Sequence, residues 1–249
     1  MTFEPVDLNL TDPTKGYLHF VLYTEARLGV ASGSLNAGVS IEASQTRTPH
    51  FQEWLSRLVR CEPNAMHCTL VERAQIPALF HPCVTEDKDS PSAVGGSGCV
   101  CRRAFYDPEF GLPVVGEHFK HRGEGGTDQW TYQTYAPLDL RPDDTFSSFI
   151  TGRGLFWART EKGLLSILPQ RNALGYNLGY SGGGPHALAA YLTQVADSDG
   201  QNTAAGAPYE KAHPAILAWT ESSAADRGRN ELTLQGPQGH AAELTDATR

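Results

Sequence analysis

The chain has 249 residues, 40% of them hydrophobic, with 25 Gly, 16 Pro and a formal net charge of −8. That acidity argues against a generally nucleic-acid-binding surface, and no apolar run is long enough to span a membrane. Frequent Gly and Pro predict many loops and few helices, and the length suits one domain over residues 1–235 with a polar tail at 236–249.

The first residues lack the basic and apolar regions of a signal peptide, so the expectation is a cytoplasmic protein. Tyr17 to Tyr23 is a continuous apolar run that predicts a buried strand, and Ala26 to Ile41 predicts one or two more. Thr48-Pro49 opens a helix, with Thr48 as N-cap and Pro49 at the first helical position. Phe51, Trp54, Leu55, Leu58 and Val59 form its apolar stripe, and it is expected to end near Cys61. Cys68 to Glu72 and Ala78 to His81 are short and suit strands. From Val84 to Gly98 the composition shifts to Asp, Ser, Gly and Pro, which predicts a mobile loop. Phe105 to Val115 is broken by Pro108, Gly111 and Pro113. Trp130 to Tyr135 alternates aromatic residues with Thr and Gln and predicts a half-exposed strand. Phe146 to Ile150, Gly154 to Arg159 and Leu164 to Leu168 predict three more, the last two flanking a Glu161-Lys162-Gly163 hairpin turn.

The most strongly patterned stretch lies at 173–196. Leu174, Tyr176, Leu178 and Tyr180 alternate with smaller residues, as in a strand. Gly182, Gly183 and Gly184 permit a close turn. Leu188, Tyr191, Leu192 and Val195 then recur at helical spacing. This predicts a strand–Gly-rich turn–helix unit inside an α+β fold of mostly short antiparallel strands with a few helices.

Five cysteines, an odd number, argue against a disulfide framework. Cys61, His67, Cys68, His81, Cys83, Cys99 and Cys101 fall within 41 residues, with His118 and His121 close behind. Four converging sulfur or nitrogen donors would hold a structural zinc, and His81-Pro82-Cys83 with Cys99-Val100-Cys101 supplies one such set: Cys83, Cys99, Cys101 and His81. The competing reading is that these cysteines are small buried hydrophobes and that there is no cofactor. A cysteine nucleophile with His118 or His121 as base is a further option. Trp130, Tyr132 and Tyr135 stand near Arg102, Arg103, Lys120 and Arg122, a mixture that can hold nucleic acid, although the net acidity favours a plain half-exposed strand.

Gly179-Tyr180-Ser181-Gly182-Gly183 matches G-x-S-x-G, and the run through Ala189 resembles the nucleophile elbow of α/β-hydrolases. That resemblance implies Ser181 as nucleophile, with His240 or His213 as base and Asp226 or Asp199 orienting it. The longer run Gly-Tyr-Asn-Leu-Gly-Tyr-Ser-Gly-Gly-Gly-Pro-His-Ala-Leu-Ala also resembles a motif of small uncharacterised actinobacterial and phage proteins. Gly179, Tyr180, Gly182, Gly184, Pro185, Leu188 and Ala189 carry that match, over about 25 residues, and it supplies no activity. A third reading uses the backbone amides of Gly182, Gly183 and Gly184, with His186, to hold a small anion or a protein partner. His67-Cys68-Thr69-Leu70 resembles one half of a two-histidine phosphoesterase, without the second half.

The leading expectation is a non-enzymatic binding or assembly protein, associated by resemblance with phage or mobile elements. Its partner is a protein or a small anionic ligand rather than nucleic acid or membrane. A serine hydrolase is the alternative.

Overall fold

Two antiparallel sheets form the frame of this computed structural model, which describes residues 38–71, 80–87, 89–90, 92–94, 98–121, 126–152, 154–171, 175–226 and 230–233. The strands expected at 17–23 and before residue 38, the tail at 236–249 and His240 lie outside the described residues.

The first sheet contains β1 (Gly38–Ile41), β2 (Val59–Arg60), β3 (Ala93–Val94), β4 (Gly98–Asp107), β5 (Leu112–His121) and β6 (Asp128–Tyr135), in the order β1-β6-β5-β4-β2 with β3 also on β4. The second contains β7 (Phe146–Gly152), β8 (Leu155–Thr160), β9 (Leu165–Ile167) and β10 (Asn230–Thr233), in the order β10-β7-β8-β9. Helix α1 (Pro49–Arg57) and short α2 (Ala65–Leu70) precede the long hairpins, and α3 (Gly183–Asp197), α4 (Pro214–Glu221) and α5 (Ser223–Asp226) follow the second sheet. The α+β expectation holds.

Side-chain alternation decides what packs where. Ile41, Val114 and Tyr132 share one face of the first sheet. They meet Phe51 and Trp54 of α1 and, beyond them, Ile150, Trp157 and Ile167 of the second sheet. The opposite face of the second sheet offers Phe149 and Ala158 to the apolar stripe of α3, where Leu188, Tyr191 and Val195 are fully buried. Gly116 is needed where the Tyr132 ring lies across β5: a Cβ there would lie 2.9 Å from that ring.

Three local expectations change. The apolar stripe of α1 continues past Arg57, but the helix stops there and Val59–Arg60 pairs with Phe105 and Tyr106 as an edge strand. The stretch from Cys68 is helical rather than extended, because Asn64 caps α2 by accepting from the amides of Met66 and His67 while the His67 ring accepts from the Asn64 amide. Of the large residues before the glycine turn, Leu178 enters the core and Tyr176 packs against it, Tyr180 is exposed, Leu174 lies outside the described residues, and 175–182 form no strand. The Asn177 side chain takes the Leu178 amide at 2.8 Å, Gly179 turns at φ +87°, and its N–H goes to the Thr220 carbonyl of α4 instead of a neighbouring strand.

Candidate metal centre

Strand register assembles most of the site. Cys99 and Cys101 are two apart on β4 and therefore point to the same face. The β4–β5 hairpin sets Cys101 directly opposite His118, and the β5–β6 pairing sets His118 opposite Trp130 and Lys120 opposite Asp128. Two thiols and an imidazole thus share one surface of three adjacent strands. The third thiol arrives from outside the sheet. Cys83 sits in a loop whose geometry is local: its carbonyl accepts from the amides of Glu86 and Asp87, each at 2.8 Å, and the hydroxyls of Ser90 and Ser92 both donate to the Pro82 carbonyl.

The ligating atoms of Cys83, Cys99, Cys101 and His118 all lie within 4.8 Å of one another. Cys83 Sγ is 3.6 Å from Cys99 Sγ, and His118 Nδ1 is 3.2 Å from the first and 3.3 Å from the second. A tetrahedral zinc with ordinary bond lengths separates two sulfurs by about 3.8 Å and a sulfur from a nitrogen by about 3.5 Å. The donors are therefore already spaced for one ion. They are also sealed: the four residues are between 0% and 3% exposed, which leaves no open coordination position for a substrate.

The imidazole is fixed from both sides. His118 Nε2 lies 2.7 Å from Asp128 Oδ1, so Nε2 carries the proton and Nδ1 presents its lone pair to the sulfurs. The ring stacks on Trp130 at 4.6 Å and 14°, and the guanidinium of Arg103 lies over the Trp130 ring, also at 4.6 Å. Hydrogen bonds from His118 and Lys120 hold the Asp128 carboxyl below the usual carboxylate range.

The three thiols differ. Burial pushes the Cys83 thiol up, but hydrogen bonding with Thr85, through both its hydroxyl and its amide, and the contacts with His118 Nδ1 and Cys99 outweigh it and bring it down to about 6. Burial, reinforced by the neighbouring Cys83, raises Cys99 and lifts Cys101 to about 12. One thiolate forms readily, and the other two need a cation before they give up their protons.

Of the four ligands expected from sequence, the structure brings together Cys83, Cys99 and Cys101. The fourth donor is His118, not His81, which lies two residues before Cys83 and is no member of the group. Cys61 and His67 make a separate contact, Sγ to Nε2 at 3.7 Å, in which Nε2 is committed to the Phe105 carbonyl at 2.8 Å.

The glycine turn lies beside a carboxylate. The Ser181 hydroxyl donates to Glu221 Oε1 at 2.8 Å, and His186 Nε2 lies 3.6 Å from the same oxygen. Among the described residues Ser181 thus faces the Glu221 carboxylate, which also lies beside His186 at the start of α3; His240, the other expected base, lies outside them. His213 caps α4 by accepting from the Ala215 amide at 3.2 Å, Asp226 packs against Gly179, and Asp199 sits in the turn after α3 at φ +50°. The basic residues near Trp130 are paired with acids, Arg102 with Glu117, Arg103 with Glu86 and Lys120 with Asp128, and Tyr132 is buried. Arg122 lies outside the described residues.

Compared with protein-family models, with curated proteins and with solved structures, the chain matches none. No helix among the described residues is long and apolar enough to cross a membrane.

Proposed function

We propose that this is a zinc-binding protein whose ion is structural, held by Cys83, Cys99, Cys101 and His118, and that the protein works by binding or assembly rather than by catalysis. The convergence of three buried thiols with an imidazole already oriented by Asp128 carries the reading. A thiolate-rich tetrahedral donor set selects a soft or borderline ion over magnesium or calcium. A closed set of four protein donors is the arrangement of structural zinc, whereas catalytic zinc keeps a position for water or substrate. Buried cysteine as simple core packing accounts for the sulfurs less well, because it gives no reason for His118 to turn Nδ1 towards two of them.

The test is metal content. Protein purified without chelator should carry one zinc per chain, and cobalt substitution should give the charge-transfer and ligand-field bands of a tetrahedral thiolate site. Cys99→Ser and His118→Ala should lose the ion, and His81→Ala should keep it. Wild type that folds with the same melting temperature in chelator as in zinc, and binds no cobalt, would overturn the reading. A fluorophosphonate should leave Ser181 unlabelled. Stoichiometric labelling that disappears in Ser181→Ala would overturn the non-enzymatic part.

A further inference from the structure

The four donors are not equivalent. Cys99, Cys101 and His118 are placed by the β4–β5 ladder, ten residue pairs long from Gly98↔His121 to Asp107↔Leu112. Cys83 alone rides on a loop, residues 80–87, that belongs to no strand of either sheet. We propose that the ion acts as a clasp: its binding to Cys83 fastens this loop to the sheet, and its loss lets the loop lift while the sheet stays formed. The proposal rests on the zinc reading and assigns that site its regulation, coupling the cover over Cys99, Cys101 and Trp130 to metal supply.

The loop's bonds support this. Most of them are internal: Glu86 and Asp87 amides to the Cys83 carbonyl, Ser90 amide to the Asp87 carbonyl, and the Ser90 and Ser92 hydroxyls to the Pro82 carbonyl. Such a loop keeps its shape whether or not it is docked. Among the described residues its anchors to the sheet are few. At the far end, Ser92 accepts from the Val100 amide at 2.8 Å, and Ala93 and Val94 pair with Cys99 and Gly98. At the near end, among the described residues, there are the Cys83 thiol, the buried Val84 side chain with its backbone bond to Cys99, the Phe80 ring edge-on to His67 of α2, and the Glu86–Arg103 ion pair. The Glu86 side chain is 42% exposed, so that pair is screened and weak. The near end thus leans chiefly on the contacts of Cys83 and Val84 with the cluster, and so on whatever that cluster ligates. The far end, held by backbone pairing, serves as the hinge.

Hydrogen exchange on the full chain, zinc-loaded and chelated, tests the clasp, with cleavage by a glutamate-specific protease at Glu86 as a second readout. On chelation, exchange across 80–87 and cleavage at Glu86 should each speed up at least tenfold, while peptides from β5 and from the second sheet stay protected. Zinc-loaded Cys83→Ser should show the fast loop exchange of the chelated wild type and still bind cobalt, its thiolate charge-transfer band reduced by about a third as one of three sulfurs is lost. Stoichiometric zinc with identical loop exchange in both states would overturn the clasp and leave the zinc reading standing. Equal loss of protection in loop and sheet would also overturn it, since the ion would then hold the whole fold. Wild type that binds no metal would remove the zinc reading itself.

Discussion

Asp128 Oδ1 meets His118 Nε2 at 2.7 Å, on the far side of the ring from the sulfurs of Cys83 and Cys99. A carboxylate in that position fixes the tautomer, holds the ring plane and makes Nδ1 a better donor. Asp128→Ala should lower zinc affinity by about 10- to 100-fold, the usual cost of removing such a partner. Asp128→Asn, which keeps an oxygen acceptor, should lose less. Because the Asp128 side chain is 54% exposed, neither change should unfold the protein. Competition against a chromophoric chelator measures the affinity, and unchanged affinity in Asp128→Ala would show that the contact is incidental.

Metal removal should be visible as lost stability. An ion that binds only the folded chain stabilises it by about 4 kcal/mol when present at a thousandfold over its dissociation constant. In a protein of this size that corresponds to a fall in melting temperature on the order of 10 °C when zinc is chelated. Calorimetry with and without chelator makes the comparison, and His118→Ala should already sit at the lower value and respond to neither.

A second buried charge anchors the opposite end of the same hairpin. Arg57 of α1 grips Asp107 with two nitrogens, at 2.6 and 3.1 Å, and Trp54 Nε1 donates to the same carboxylate at 3.1 Å. The Asp107 side chain is 4% exposed. Removing it strands a guanidinium and an indole N–H, so Asp107→Ala should cost about 3–5 kcal/mol. Asp107→Asn can still accept from Trp54 and should cost less. Urea unfolding reads both, and a loss under 1 kcal/mol in Asp107→Ala would mean the carboxylate is dispensable.

The hairpin also shows why His118 escaped the sequence. Pro108, Glu109, Phe110 and Gly111 form its turn, with Gly111 at φ +65°, and every β4–β5 pair is symmetric about it. Had that turn been recognised, counting outwards would have placed Cys101 opposite His118. Pro108, Gly111 and Pro113 instead read as breaks across 105–115, and the adjacency of His81 to Cys83 in the sequence supplies the fourth donor in place of His118. Cys99-Val100-Cys101 was legible because period-two spacing alone puts both sulfurs on one face. The strands from Phe146 to Leu168, the stripe of α3 and the Thr48 cap were legible for the same local reasons. The glycine-rich stretch misled because its alternation matches a strand, while its backbone partners, Asn177 and Thr220, depend on tertiary contacts that no local pattern encodes.

His67 supplies a pH prediction. Burial lowers its pKa below the ordinary value near 6.5, only partly countered by its bond to the Phe105 carbonyl. The folded state therefore binds a proton less readily than the unfolded chain. Its contribution to stability is full above about pH 6.5 and is lost as the pH falls from there through the folded value. Protonation also removes the lone pair that accepts the Asn64 amide at the start of α2. With zinc chelated, so that every other group titrates alike in the two chains, wild type should lose stability between pH 7 and 5 more steeply than His67→Gln. Parallel profiles would show that the ring titrates as it does in the unfolded chain.

The three glycines of the turn should separate by position. A Cβ on Gly183 meets no atom within 4 Å, whereas one on Gly184 would lie 2.7 Å from Asn177 Cβ and 3.2 Å from its backbone nitrogen. Gly183→Ala should be neutral or slightly stabilising, since Ala surrenders less backbone freedom than Gly in the first turn of a helix. Gly184→Ala has to push the 175–182 path away from α3 and should cost about 1–3 kcal/mol. Gly182 lies between them: its Cβ would come 2.5 Å from the Tyr180 ring, and that side chain, 47% exposed, can swing aside. This order, Gly184 worst and Gly183 harmless, is what close packing of chain against helix requires. A turn kept glycine-rich to expose amides to an anion would instead tolerate Gly184→Ala in unfolding experiments, and that result would return the turn to the list of binding surfaces.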